Sequence, residues 1–199
     1  MSVLMLLIAL GAPLGEDATY GRIDGDLALR AGVGATFGPR APRGVIDLRL
    51  RYLQSAGFFV TYEEGFGGSS PTRLFATGIE LRPLFLGRWL QGLEFGKPYP
   101  DLFLDSFAIE LGAFFASPAG GAFGDRYGLQ FGGAIELPIF PRASGLFLSA
   151  HAGVRWDRAT FTGRDPLTAD DRSVYLSIMI TWQQIFGSHL SDFGDTTPR

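Results

Sequence analysis

Between residues 26 and 186 apolar and polar side chains alternate with a period of two, not the 3.6 of a helix. They do so in segments of about ten residues punctuated by Gly, Pro, Ser and Asp. Strand one is predicted over 26–37, with Leu27, Leu29, Ala31, Val33, Ala35 and Phe37 opposed to Asp26, Arg30, Gly32, Gly34 and Thr36. Strand two, 45–53, opposes Ile46, Leu48, Leu50 and Tyr52 to Asp47, Arg49 and Arg51. Strand three, 58–64, has the least regular pattern, with Phe58, Val60 and Tyr62 on its apolar face. Strand four, 72–85, sets Phe75, Ile79 and Leu81 against Ala76, Gly78, Glu80 and Arg82, and strand five, 104–116, sets Phe107, Ile109, Leu111 and Phe115 against Ser106, Ala108, Glu110 and Gly112. Strand six, 126–138, opposes Leu129, Phe131, Ile135 and Leu137 to Gly128, Gln130, Gly132, Ala134 and Glu136. Strand seven, 146–157, opposes Leu146, Leu148, Ala150, Ala152, Val154 and Trp156 to Ser149, His151, Gly153, Arg155 and Asp157. Strand eight, 173–186, alternates Val174, Leu176, Ile178, Ile180 and Trp182 with Tyr175, Ser177, Met179, Thr181 and Gln183.

Eight consecutive strands without intervening long helices predict an all-β chain, an antiparallel up-and-down β-barrel. The connections after strands two and six, 54–57 and 139–144, read as short turns, and those after strands one, three, five and seven as longer, Gly-rich or polar loops. That asymmetry is expected of an outer-membrane barrel, with turns at one rim and loops at the other. Residues 86–100 break the rule: Leu86, Trp89, Leu90 and Leu93 fall at i, i+3, i+4 and i+7. This spacing fits a short amphipathic helix on the inner membrane surface, with an irregular loop packed under the barrel as the alternative.

Alternation alone does not tell a soluble barrel, apolar within, from a membrane barrel, apolar without. Side-chain size does. The interior of an eight-stranded barrel is just wide enough for its own side chains. The charged face is also the face with Gly32, Gly34, Gly78, Gly112, Gly128, Gly132 and Gly153. In bulk water such glycines would only weaken the strands; in a narrow lumen they make room for long Arg and Glu side chains. The reading is therefore a transmembrane barrel over 26–186, with a lipocalin-like soluble barrel as the alternative. Tyr52, Trp156 and Trp182 near strand ends, and Trp89 in the 86–100 connection, are the expected interfacial aromatics.

The pattern is similar to that of the small eight-stranded outer-membrane proteins of Gram-negative bacteria, the OmpA-transmembrane-domain and OmpX type. The resemblance covers 26–186 and rests on pattern, not on a motif. Barrels of that type end on a terminal aromatic, whereas here a polar tail, 187–199, follows Phe186.

Composition narrows the function classes. Of 199 residues, 46% are apolar and 19% charged, with 28 Gly and no Cys, so disulfide frameworks, thiolate metal sites and cysteine nucleophiles are excluded. A mean hydropathy of +0.17 excludes a disordered chain. With 17 basic against 20 acidic residues there is no basic footprint for nucleic acid. The uncharged apolar run over 3–14 is shorter than the ~20 residues of a spanning helix. It reads as a signal peptide over 1–15 followed by an N-terminal segment, 16–25, with a buried N-terminal strand or short helix as the alternative.

The polar face carries the candidate chemistry. Arg30, Arg49 and Arg51 on strands one and two lie largely across the ring from Glu80, Glu110 and Glu136 on strands four to six. Unpaired buried charges cost several kcal/mol, so the expectation is a lumenal ion-pair network that also takes in Asp47, Arg82, His151, Arg155 and Asp157. It would act either as a plug or as a gated pore whose pairs rearrange. Ser149 and His151 are the one candidate nucleophile and base on the inner face. Two positions along a strand are ~6.6 Å apart at ~3.3 Å per residue, beyond hydrogen-bond reach. Lipid A deacylase barrels are similar in architecture and carry His-x-Ser with a carboxylate; here the order is Ser-x-His and the pair points inward, away from acyl chains. Residues 32–38 are glycine-rich but lie within a strand and lack the Lys-Ser/Thr of a phosphate loop. Asp165, Asp170 and Asp171 match no calcium loop.

The leading expectation is an integral barrel of the outer membrane of a Gram-negative bacterium, not an enzyme, without cofactor or metal. Its contacts would be outer-membrane lipid and lipopolysaccharide, with a protein partner reached through the long loops and no nucleic acid. A narrow ion or small-solute channel is the alternative, and a lipid A-modifying enzyme the third.

Overall fold

The computed structural model describes residues 21–22, 25–39, 41–66, 72–117, 121–162 and 172–187. The apolar run over 3–14, the 1–15 leader, Asp165, Asp170 and Asp171, and the tail beyond 187 lie outside them. The chain forms a closed barrel in which each strand pairs antiparallel with the next and β8 with β1. The strands are β1 (Leu27–Phe37), β2 (Arg43–Tyr52), β3 (Ala56–Gly65), β4 (Arg73–Leu81), β5 (Ala108–Ser117), β6 (Arg126–Pro138), β7 (Gly145–Asp157) and β8 (Arg172–Phe186).

The period-two pattern placed each of these eight strands; β2 starts two residues before the expected 45 and β3 extends past both expected ends, 58 and 64, while the larger departures lie where β4 and β5 meet. Strand four stops at Leu81, not Phe85, because Pro83 cannot donate to the ladder and instead opens helix α1 (Pro83–Gln91). Strand five starts at Ala108, not Leu104, because residues 104–105 close a second helix, α2 (Pro98–Asp105), also opened by proline. The β4–β5 connection, 82–107, thus holds two helices; the first takes in Leu86, Trp89 and Leu90 of the predicted spacing and ends before Leu93. A short helix α3 (Arg158–Phe161) follows β7. Among the described residues no helix is long and apolar enough to cross a membrane.

The expected sorting of turns and loops holds only in part. The β1–β2 connection, 38–42, is no longer than the β6–β7 turn, 139–144, and the longest connection, 82–107, lies on the turn side. The β2–β3 turn is the tightest. Leu53 and Gln54 both have positive φ, 46° and 55°, and the Ser55 amide donates to the Tyr52 carbonyl at 3.0 Å. This two-residue turn suits strand twist but is usually made by Asn-Gly.

Burial follows the alternation strand by strand. The charged face points inward: Arg30, Arg51, Glu63, Glu80, Glu110 and Glu136 are at most 2% exposed. The apolar face points outward, with Val33, Ile46, Leu48, Leu111, Leu129 and Ile180 between 48% and 61% exposed. The interior carries a wedge of Phe59, Leu74, Ala76, Phe114 and Ala116, and Phe147 and Met179 also point inward. Glycines make that filling feasible. Gly132 and Gly153 face each other across β6 and β7, and a Cβ on either would stand 2.8–2.9 Å from the Tyr175 ring or hydroxyl that lies over them.

Candidate functional site

The lumenal charges stack in one column as two ion-paired groups. At the end where β2, β4, β6 and β8 finish, Glu136 of β6 receives Arg51 of β2 (Nη2 to Oε1, 2.7 Å), Arg82 (Nη2 to Oε2, 2.6 Å) and Arg30 of β1. Arg51 also pairs with Glu80 of β4 and donates to Gln183 at 2.6 Å. In the middle Arg49 binds Asp47 of its own strand at 2.7 Å, Glu110 of β5 at 2.5 Å, and Glu80. The His151 Nδ1 stands 2.8 Å from the same Glu110 carboxylate. Toward the opposite rim Glu63 receives Arg155 of β7 at 2.6 Å and Arg43 of β2 at 2.7 Å.

Three of the lumenal arginines also lie over aromatic rings. The Arg49 guanidinium lies 5.3 Å from the Phe59 ring centroid, Arg30 lies 5.6 Å from that of Phe147, and Arg155 lies 4.1 Å from that of Tyr175. Six arginines (30, 43, 49, 51, 82, 155) face five carboxylates (47, 63, 80, 110, 136) inside the ring, so the buried charge is close to balanced. Cavities along the column are small, among them one of about 20 Å³ under the cap and one of about 10 Å³ beside Glu63 and Glu110, each of the order of one water molecule.

Ten of the eleven residues named from sequence meet in this column. Asp157 does not. It sits at the rim, where it pairs with Arg126 at 2.8 Å and its carboxylate accepts the Ala159 amide at the start of α3. Glu63 and Arg43 were missed, although Glu63 lies in phase between Tyr62 and Glu64; the weak pattern of strand three concealed it. Ser149 and His151 are not brought together. The Ser149 hydroxyl lies 3.0 Å from that of Thr181 and also receives Arg30, while His151 faces Glu110 and Arg49. Gly32 and Gly34 lie within β1, and among the described residues no cluster of three metal-ligating side chains forms.

The aromatics named from sequence lie toward both ends. Tyr52, 39% exposed, closes β2, and Trp182, facing outward opposite Leu146, lies near the same end. Trp156, opposite Arg172, is near the other. Trp89, on α1, stacks on Phe85 with ring centroids 6.3 Å apart.

Helices α1 and α2 cap one mouth of the column, a feature the sequence pattern suggested only as a helix. Phe85 and Leu102 are buried against the mouth, beside Ala28, Ala143 and Ile185. Arg88 donates to Asp101 and to Asp105 at 2.7 Å, and Arg22, from the segment before β1, pairs with Glu94 and Asp105. Burial pushes the Arg22 guanidinium below its ordinary value, against the opposing pull of Glu94 and Asp101. Burial by itself would raise the Asp101 carboxyl, but the Phe95 amide, the Arg88 guanidinium and the Lys97 amide outweigh it and hold the group low. The Phe95 and Lys97 amides donate to it at 2.9 and 3.1 Å.

No protein-family model matches the chain, and neither does any curated protein.

Proposed function

We propose that this chain is an integral outer-membrane β-barrel with a structural or surface-interaction role, its lumen filled by an ion-paired plug. One observation carries the reading: the barrel is inverted relative to a water-soluble one, with its charges buried and its apolar face turned out. Monomeric soluble proteins rarely present an apolar patch beyond a few hundred Å², whereas here exposed apolar side chains recur on all eight strands. A lipid solvent removes that cost. Closure of the sheet also satisfies the backbone that lipid cannot hydrogen-bond. The aromatics toward both ends fit the interfacial belts of such barrels.

A plug is favoured over a pore because Arg51 and Glu136 stand four strands apart in the ring and still touch at 2.7 Å. Opening the lumen would break buried pairs at several kcal/mol each. The narrow channel is nevertheless the second reading, since the polar column runs from the cap to the opposite rim. Planar-bilayer recording of the purified protein separates them. The plug predicts no resolved conductance steps, and steady single-channel current would replace it with the pore. A surface-interaction role would fall to the four connections at the rim opposite the cap, those after β1, β3, β5 and β7.

A further inference from the structure

We infer that the α1–α2 cap is a membrane foot, whose outer face seats in the lipid headgroup region at the end of the barrel it closes. The inference rests on the membrane reading above and adds a lipid-binding surface to it. Amphipathicity in α1 is the reverse of what packing on a water-soluble protein would select. The side turned to the barrel holds Phe85 and the ion-paired Arg88, while Leu90 on α1 and Leu93 just past its Gly92 cap are 73% and 56% exposed.

Charge on the cap is sorted in the same sense. Its carboxylates are turned inward and paired, Glu94 with Arg22, Asp101 with Arg88, and Asp105 with both. The charged side chains left exposed at this end, among the described residues, are Lys97 and Arg142, both basic. An apolar face rimmed by cations fits the phosphate-bearing boundary of a bilayer.

The face is also continuous with the outward belt. The Tyr99 hydroxyl donates to the Ile139 carbonyl at 3.4 Å, placing α2 beside the β6–β7 turn. Ile139 there is 46% exposed and follows the outward-facing Leu137 of β6 by two residues. A soluble partner covering this face would have to sit among headgroups, so lipid is the occupant we commit to.

The chain has no cysteine, so single nitroxide labels can be placed without altering its background. Labels at Leu90→Cys, Leu93→Cys and, on the belt, Leu111→Cys would be compared in phosphatidylethanolamine/phosphatidylglycerol vesicles by collision with oxygen and with a water-soluble nickel chelate. The expected result is Leu111 deep in the hydrocarbon and both cap labels ~5–10 Å into the headgroup boundary. Free access of nickel to the cap labels with Leu111 still deep would overturn the foot and leave the membrane reading standing. Nickel access at Leu111 as well would remove both. Cap labels shielded from both reagents would mean protein covers the face, whether the chain's own terminal segments or a second copy, and would also overturn the foot. Reversing the rim charge with Lys97→Glu and Arg142→Glu should raise nickel access at Leu90 several-fold; no change would discard the role of headgroup charge.

Discussion

Arg155 of β7 and Glu63 of β3 stand on opposite walls of an eight-stranded ring, and their side chains meet in its middle, Nη2 2.6 Å from Oε1. The contact spans the barrel and is almost fully buried, 3% and 0% exposed at the side chains. Glu63 also receives Arg43, so replacing it strands two guanidiniums. Glu63→Gln should destabilise the barrel by about 3–5 kcal/mol, read from urea unfolding in lipid. Combining it with Arg155→Met should recover part of that loss. A double variant as unstable as the single would show that the pair is not the source of the effect.

Leu48 sits in the middle of β2 and faces outward, 48% exposed. If lipid surrounds it, Leu48→Arg costs about 2–4 kcal/mol, the depth-dependent penalty at a bilayer midplane. In a water-surrounded barrel the same change would be neutral. Folding yield and unfolding midpoint in vesicles distinguish the two.

Gly112 lies opposite Gly78, and a Cβ on it would stand 2.9 Å from the ring of Phe59, which is itself 1% exposed and held beneath Arg49. Gly112→Ala should therefore cost about 1–3 kcal/mol by overpacking. Gly87 on α1 has nothing within 4 Å of such an atom, so Gly87→Ala should instead stabilise the helix by about 0.5–1 kcal/mol. Thermal unfolding of the two variants side by side should shift in opposite directions.

Asp101 ties the cap together through two amides and Arg88. Its folded carboxyl titrates below the ordinary 3.8. The sign follows from linkage: the stabilisation is complete above that ordinary value and is lost as pH falls through the lower folded one. Protection of the Phe95 and Lys97 amides against exchange, relative to the unprotected rate at the same pH, should hold at neutral pH and fall only in that acid range. Asp101→Asn should lower that protection at neutral pH, because the variant loses the charge that holds Arg88. Unchanged protection in the variant would contradict this account of the cap.

The fold was legible because one face of every strand turns into the barrel and the other out of it, and a period of two records that division residue by residue. The central column was legible for the same reason: Arg49, Glu80, Glu110 and Glu136 fall on the phase opposite the Leu and Ile positions. Glu63 escaped because strand three carries Phe59 on its inner face, which blurs the contrast that marked the other strands. Asp157 was placed in the column because it is in phase with Arg155; phase fixes a face but not a height, and its height puts it at the rim with Arg126. The cap was half legible. Leu86, Trp89, Leu90 and Leu93 announced a helix, but nothing local to them indicates that Phe85 and Leu102 would close the mouth, which depends on contacts with β1 and β8 far along the chain.

Refolding tests the central claim, that the apolar exterior is solvated by lipid and the charged interior is dry, most directly. The chain freed of residues 1–15 would be diluted from denaturant into buffer alone and into buffer with lipid vesicles or detergent, and followed by far-ultraviolet circular dichroism and sedimentation. The account predicts β structure in a monodisperse particle only where an amphiphile is present, and aggregation without it. A folded, monodisperse monomer in buffer alone would contradict it.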